Sequence, residues 1–205
     1  MNLANQLTFL RIILAPVFFV IYLLPKFLPA LSVNGAGWTI PVLWIIFIVS
    51  EITDYFDGLA ARKLNLTSDF GRLFDPFADT LVQITCFLCF IIDGIYPVNG
   101  IIAAFLLLLV IYREFGILFI RNLMLKKGVT MGARICGKIK TVAYITAAGV
   151  TLLAVTFERL AVMNPVLPYI KICAFIIFII SVILAIASFI DYLLIYFNTR
   201  NNNDD

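Results

Sequence analysis

Six stretches of this chain are each long and apolar enough to cross a bilayer, and that limits the fold before any motif is considered. A span needs roughly 20 apolar residues. The candidates run from about Thr8 to Leu24, from near Trp38 through Lys63, and from near Gly71 to Asp93. Three more run from about Pro97 to Lys126, from about Lys138 to Thr156, and from Pro168 to Phe197, leaving a polar tail from Asn198 to Asp205. With 63% of 205 residues apolar and only 13% charged, the chain carries more hydrocarbon than a soluble globule of this size can bury. Lipid offers no partner to an unsatisfied backbone group, so such spans must be helical. The expected fold is an all-α membrane protein: six transmembrane helices forming a single domain over residues 1–205. The opening residues, Met1 to Arg11, are expected to form a short interfacial helix leading into the first span. No small-x-small cleavage site follows that span, so it is expected to be retained and not removed as a signal peptide.

Orientation follows from lysine and arginine, which concentrate on the cytoplasmic side of membrane proteins. If the N-terminus is cytoplasmic, only Lys26, Arg159 and Lys171 of the 15 basic residues fall outside. Both termini are therefore expected in the cytoplasm, in a multi-pass protein of the cell (inner) membrane. No nucleic-acid partner is expected from this distribution.

Histidine is absent. That excludes Ser-His-Asp and Cys-His nucleophilic catalysis, HExxH zinc sites and histidine phosphotransfer. Cys86 and Cys89 form a CxxC, but inside an apolar run, where a lipid-facing or packing role is the better explanation than redox or metal chemistry.

The acidic residues are distributed unevenly. Of 12 in the chain, Glu51, Asp54, Asp57, Asp69, Asp75 and Asp79 lie in one short stretch. Ionisable groups at membrane depth are costly and usually mark a site. Asp54 and Asp57 are three apart on one helix, and Asp75 and Asp79 are four apart on the next, so each pair shares a face. The short turn between the two spans, which holds Asp69, makes them antiparallel neighbours. Four carboxylates then converge near the cytoplasmic surface, where they repel one another unless cations intervene. Oxygen donors with no His or Cys nearby suit Mg²⁺, with Mn²⁺ as the alternative, held as one ion or a pair. Gly58, Ala61 and Gly71 lie beside these carboxylates and let a ligand approach the backbone, while Arg62 can neutralise a phosphate.

The pattern Asp54, Asp57, Gly58, Ala61, Arg62, Gly71, Asp75, Asp79 resembles, position for position, the signature of the CDP-alcohol phosphotransferase family. That family moves a phosphatidyl or phospho-alcohol group from a CDP-linked donor to an acceptor hydroxyl and releases CMP. The resemblance implies that Asp54, Asp57 and Asp75 are metal ligands holding the donor diphosphate. It implies that Asp79 is the general base and shares a metal, and that Gly58, Ala61, Arg62 and Gly71 contact the CDP moiety. It also implies two divalent ions and a homodimer.

The opening stretch with Asn5, Thr8 and Arg11, the segment from Arg113 to Gly128, and the segment from Gly137 to Thr141 resemble the phosphatidylglycerophosphate synthases of this family. Thr80 departs from them, standing where those enzymes usually carry lysine. Arg113 and Arg121, about two turns apart on one helix, could join Lys138 and Lys140 in a pocket for an anionic acceptor such as glycerol-3-phosphate. Glu114 is a candidate partner for one of these cations. The expected substrates are therefore CDP-diacylglycerol and glycerol-3-phosphate. Inositol phosphate, serine or phosphatidylglycerol are the alternative acceptors. A divalent-cation transporter is the alternative from a different class.

Overall fold

The computed structural model describes residues 3–28, 37–64, 69–126, 135–161 and 165–204; its side chains are described at 6–28, 37–54, 74–124, 137–161 and 165–197. It is all-helical among these residues, with α1 Leu3–Phe27, α2 Thr39–Leu64, α3 Asp69–Asp93, α4 Gly100–Lys126, α5 Ile135–Arg159 and α6 Leu167–Asp204. Five of the six are long and apolar enough to cross a membrane, while the described side chains of α2 stop at Asp54. Two details differ from the sequence expectation. Helix α1 runs from Leu3 to Phe27 as one element, so the stretch expected as a separate interfacial helix forms its first turns. Helix α6 continues through the polar tail as far as Asp204.

Helix α3 is central, packing on α1, α4 and α5, while α1 also packs on α2, and α6 on both α4 and α5. Small residues on α5, including Ala147, Ala148 and Ala154, are fully buried and let that helix approach its neighbours closely. The ring of Phe87 on α3 meets Phe178 of α6 at 4.7 Å and Tyr144 of α5 at 5.9 Å. Cys86 and Cys89 are buried in this same core, in keeping with a packing role. Ile13, Val20, Ile45, Ile101, Phe105, Phe119 and Ile183 point outward. A soluble protein would hide such residues, and lipid is their natural solvent.

Polar side chains gather at the two ends of the bundle. At one end, Asp93 closes α3 and accepts from Tyr22 Oη at 2.8 Å, with Lys26 Nζ at 2.5 Å and Arg159 at 3.6 Å. Arg159 also donates to Thr39 Oγ1 and to the carbonyl of Tyr22, and its guanidinium lies 4.4 Å from the Tyr22 ring centre. Lys26 and Arg159, two of the three basic residues expected outside, are thus cross-braces joining α1, α2, α3 and α5. Gly94 ends α3 in the left-handed conformation (φ 69°), and the next amide, that of Ile95, bonds back to the Phe90 carbonyl.

Removing Asp93 leaves Arg159, whose side chain is only 12% exposed, without its counter-charge. Asp93→Asn is expected to cost about 1–3 kcal/mol. Lys171→Met, which breaks the outer Lys171–Glu158 pair, is expected to cost less than about 1 kcal/mol. Thermal unfolding in detergent should rank the two variants in that order.

Candidate active site

The opposite end of the bundle gathers the N-terminal turns of α1, α3 and α5 with the C-terminal halves of α2, α4 and α6. The carboxylates arrive there by helical spacing: Asp54 from α2, and Asp75 and Asp79 one turn apart on α3. They meet on Arg11 of α1, a side chain only 1% exposed. Its Nη1 lies 2.6 Å from Asp54 Oδ1 and 2.8 Å from Asp79 Oδ1, and its Nη2 lies 3.9 Å from Asp75. Thr8, one turn earlier on α1, donates its hydroxyl to Asp75. The side chains of Asp57, Gly58, Ala61, Arg62 and Gly71 lie outside the described residues.

The three aspartates open onto a cavity of about 290 Å³ bounded by all six helices. Arg113, Arg121, Lys138 and Lys140, expected from the sequence to form one pocket, all line it. They are not equivalent. Arg113 is 5% exposed and fully engaged: Nε donates to the Ala185 carbonyl at 3.3 Å, Nη1 to Glu114 Oε1 at 2.8 Å and Nη2 to Ser188 Oγ at 2.9 Å. Lys140 donates to the same Glu114 oxygen at 2.8 Å and lies 4.6 Å from the Tyr144 ring centre. Arg121 donates to Tyr192 Oη at 3.0 Å. Lys138 is exposed on the cavity wall. Glu114, expected to pair with one cation, pairs with two. Thr80, the departure from the family pattern, turns its hydroxyl to the Pro76 carbonyl and lies 3.5 Å from Glu114 Oε2.

The donor set fits a hard divalent cation. Among the described residues the aspartates supply only oxygen, and their side chains remain 34–41% exposed toward the cavity. Three carboxylates outnumber the one guanidinium that meets them. They do not by themselves form a ready three-ligand cage; they converge on Arg11.

Three residues of this site were not singled out for it from the sequence. Arg11 and Thr8 were visible only as polar positions of the opening stretch, since nothing local connects Arg11 with Asp54. Gln83 donates to Glu51 Oε1 at 2.9 Å, one turn above Asp54 on the cavity wall. The sequence signal was a polar amide inside an apolar run; its pairing with Glu51, 32 positions away on another helix, was not encoded locally.

The geometry separates stability from binding. Arg113→Ala would take from buried Glu114 one of its two cations and from Ser188 its donor, leaving Lys140 on Glu114, and is expected to cost about 1–3 kcal/mol. Lys138→Ala removes an exposed group and should leave the unfolding free energy within about 0.5 kcal/mol of the parent. Equal destabilisation by both would contradict the division of roles.

The chain matches the family model described as CDP-alcohol phosphatidyltransferase over residues 1–197. It is 34% identical to the CDP-diacylglycerol–glycerol-3-phosphate 3-phosphatidyltransferase of Treponema pallidum, over 96% of this chain and 90% of that protein. It is 36% identical to the Bacillus subtilis protein of the same name, over 74% of this chain and 77% of that one. A probable phosphatidylglycerophosphate synthase of Mycobacterium tuberculosis is 33% identical, over 74% and 66% respectively. With Asp54, Asp75 and Asp79 meeting at one end of the bundle, basic residues on the same cavity and a family match over residues 1–197, this chain belongs to the CDP-alcohol phosphatidyltransferase family.

Proposed function

We propose that this protein transfers the phosphatidyl group of CDP-diacylglycerol to glycerol-3-phosphate, giving phosphatidylglycerophosphate and CMP. The observation that carries the reading is the meeting of Asp54, Asp75 and Asp79 in a cavity that is also lined by Arg113, Arg121, Lys138 and Lys140. An acidic face suits an ion-bound diphosphate, and a basic face suits a phosphorylated acceptor. Relatives bearing the name of this reaction support the choice of substrates. Family membership favours transfer over the cation transport weighed from the sequence.

Asp54, Asp57, Asp75 and Asp79 would hold Mg²⁺ or Mn²⁺, which when bound supplies positive charge to the donor diphosphate. Asp79 takes the proton of the acceptor hydroxyl. The acceptor oxygen then bonds to the phosphorus that bears diacylglycerol, and the bond from that phosphorus to the CMP oxygen breaks. Gly58, Ala61, Arg62 and Gly71 contact the CDP moiety. Lys138, Arg121 and Lys140 attract the acceptor phosphate, and Arg113 acts through Glu114 by fixing the wall on which they stand. The acyl chains of the donor remain in lipid. Helix α2 supplies the sixth span, the site faces the cytoplasm with both termini, and the protein works as a homodimer in the inner membrane.

Chelation should abolish glycerol-3-phosphate-dependent CMP release, and Mg²⁺ or Mn²⁺ should restore it. Asp75→Asn should reduce turnover at least about 10²-fold, equivalent to roughly 2.7 kcal/mol of barrier. Full turnover in EDTA would contradict the role assigned to the aspartates. On the basic wall, Lys138→Ala removes a charge-assisted contact of about 1.5–3 kcal/mol. It should raise the KM for glycerol-3-phosphate by about 10- to 100-fold and leave that for CDP-diacylglycerol nearly unchanged.

A further inference from the structure

Arg11 occupies a position that a helix brace alone does not require. Its guanidinium, 1% exposed, is held by Asp54 and Asp79 at 2.6 and 2.8 Å with Asp75 at 3.9 Å. These are the same carboxylates that the proposed reaction assigns to a divalent ion. Oxygens already turned toward a guanidinium cannot serve a second cation at full strength, and the two cations repel across a few ångströms. A diphosphate brings the opposite sign. It offsets the charge of the ion and is itself attracted to Arg11. One buried cation therefore opposes an ion arriving alone and favours an ion arriving with phosphate, whether the site takes one ion or two.

We propose that Arg11 is a positioning residue that makes divalent-ion occupancy depend on the CDP-linked donor. With no ion bound, it holds the aspartates of α2 and α3 together against their mutual repulsion. It keeps ion affinity low until a diphosphate enters. Thr8, through Asp75, fixes the register of α1 in which the guanidinium reaches both helices. The inference rests on the reading of the aspartates as ion ligands, and it adds a residue on a third helix that sets when the ion binds.

The test is Mn²⁺ binding to the purified protein in detergent, followed by electron paramagnetic resonance, with and without cytidine 5′-diphosphate. The parent is expected to bind Mn²⁺ at least about tenfold more tightly when the nucleotide is present. Arg11→Met, which keeps the length and loses the charge, is expected to bind Mn²⁺ at least about tenfold more tightly than the parent without nucleotide, and to gain little from adding it. Its melting temperature should fall in EDTA and recover with Mn²⁺, because the ion replaces the missing charge. Arg11→Gln, which keeps a hydrogen-bond donor, should behave like Arg11→Met, and Arg11→Lys like the parent. Unchanged or weaker Mn²⁺ binding in both uncharged variants would overturn the proposal, as would their failure to fold even with Mn²⁺ present. A parent that binds no Mn²⁺ under either condition would overturn it together with the ion reading. A parent that behaves as expected but releases no CMP from CDP-diacylglycerol would leave this role standing and remove phosphatidyl transfer.

Discussion

Three carboxylates and one guanidinium, drawn from three helices, have to be kept together at the end of a bundle whose outer surface is hydrocarbon. Buried charges are stable only when paired, and breaking such a pair costs far more than a surface ion pair returns. The contact of Arg11 with Asp54 and Asp79 therefore fixes how α1 sits against α2 and α3. Everything else at that end is arranged around it: the aspartates face the cavity, and Thr8 ties the first turns of α1 to α3. The same interaction leaves the cluster short of positive charge, and that shortage suits the site to a divalent ion.

Glu114 plays the converse part among the basic residues of the cavity. One buried carboxylate holds both Arg113 and Lys140. Arg113 is also anchored to the backbone and a serine of α6, and the close approach of α6 is helped by Gly116, where a Cβ would come within 2.8 Å of the Phe189 ring. Held this way, the cations stay fixed on the cavity lining that they share with the aspartates. At the far end, Asp93 organises Lys26, Arg159 and Tyr22 by the same rule of compensation. The two polar ends and the apolar waist between them follow from one solvent constraint.

Much of this was legible in the sequence for a physical reason. Residues three or four apart on a helix share a face, so the convergence of Asp54 with Asp75 and Asp79 could be read from spacing once their helices were taken as neighbours. The six helices were legible because lipid permits long apolar runs little else. What was hidden are the partners supplied by distant helices. Arg11 and Asp54 are 43 positions apart, and Arg159 reaches Thr39 across 120; no local pattern encodes either contact. Arg113 looked like a ligand for phosphate because its type fits, and only the packing of α6 reveals that its donors are already engaged. Glu114 was visible as a charge and not as the hub of two cations, since adjacent helical residues leave the axis in different directions and their side chains' return to one point depends on packing. The continuation of α6 through a polar tail was likewise unmarked, because asparagine-rich segments carry no strong helical signal.

In the proposed reaction the aspartates hold the ion-bound donor and the basic residues of the same cavity hold the phosphorylated acceptor. That reaction is tested most directly by identifying the product. Purified protein in a lipid bilayer disc, with Mg²⁺ and CDP-diacylglycerol labelled in its phosphatidyl group, would be given glycerol-3-phosphate, inositol phosphate, serine and phosphatidylglycerol together at equal concentration. The label should appear in phosphatidylglycerophosphate, with CMP released in equal amount. Label recovered chiefly in the product of another acceptor would contradict the assignment of the basic wall.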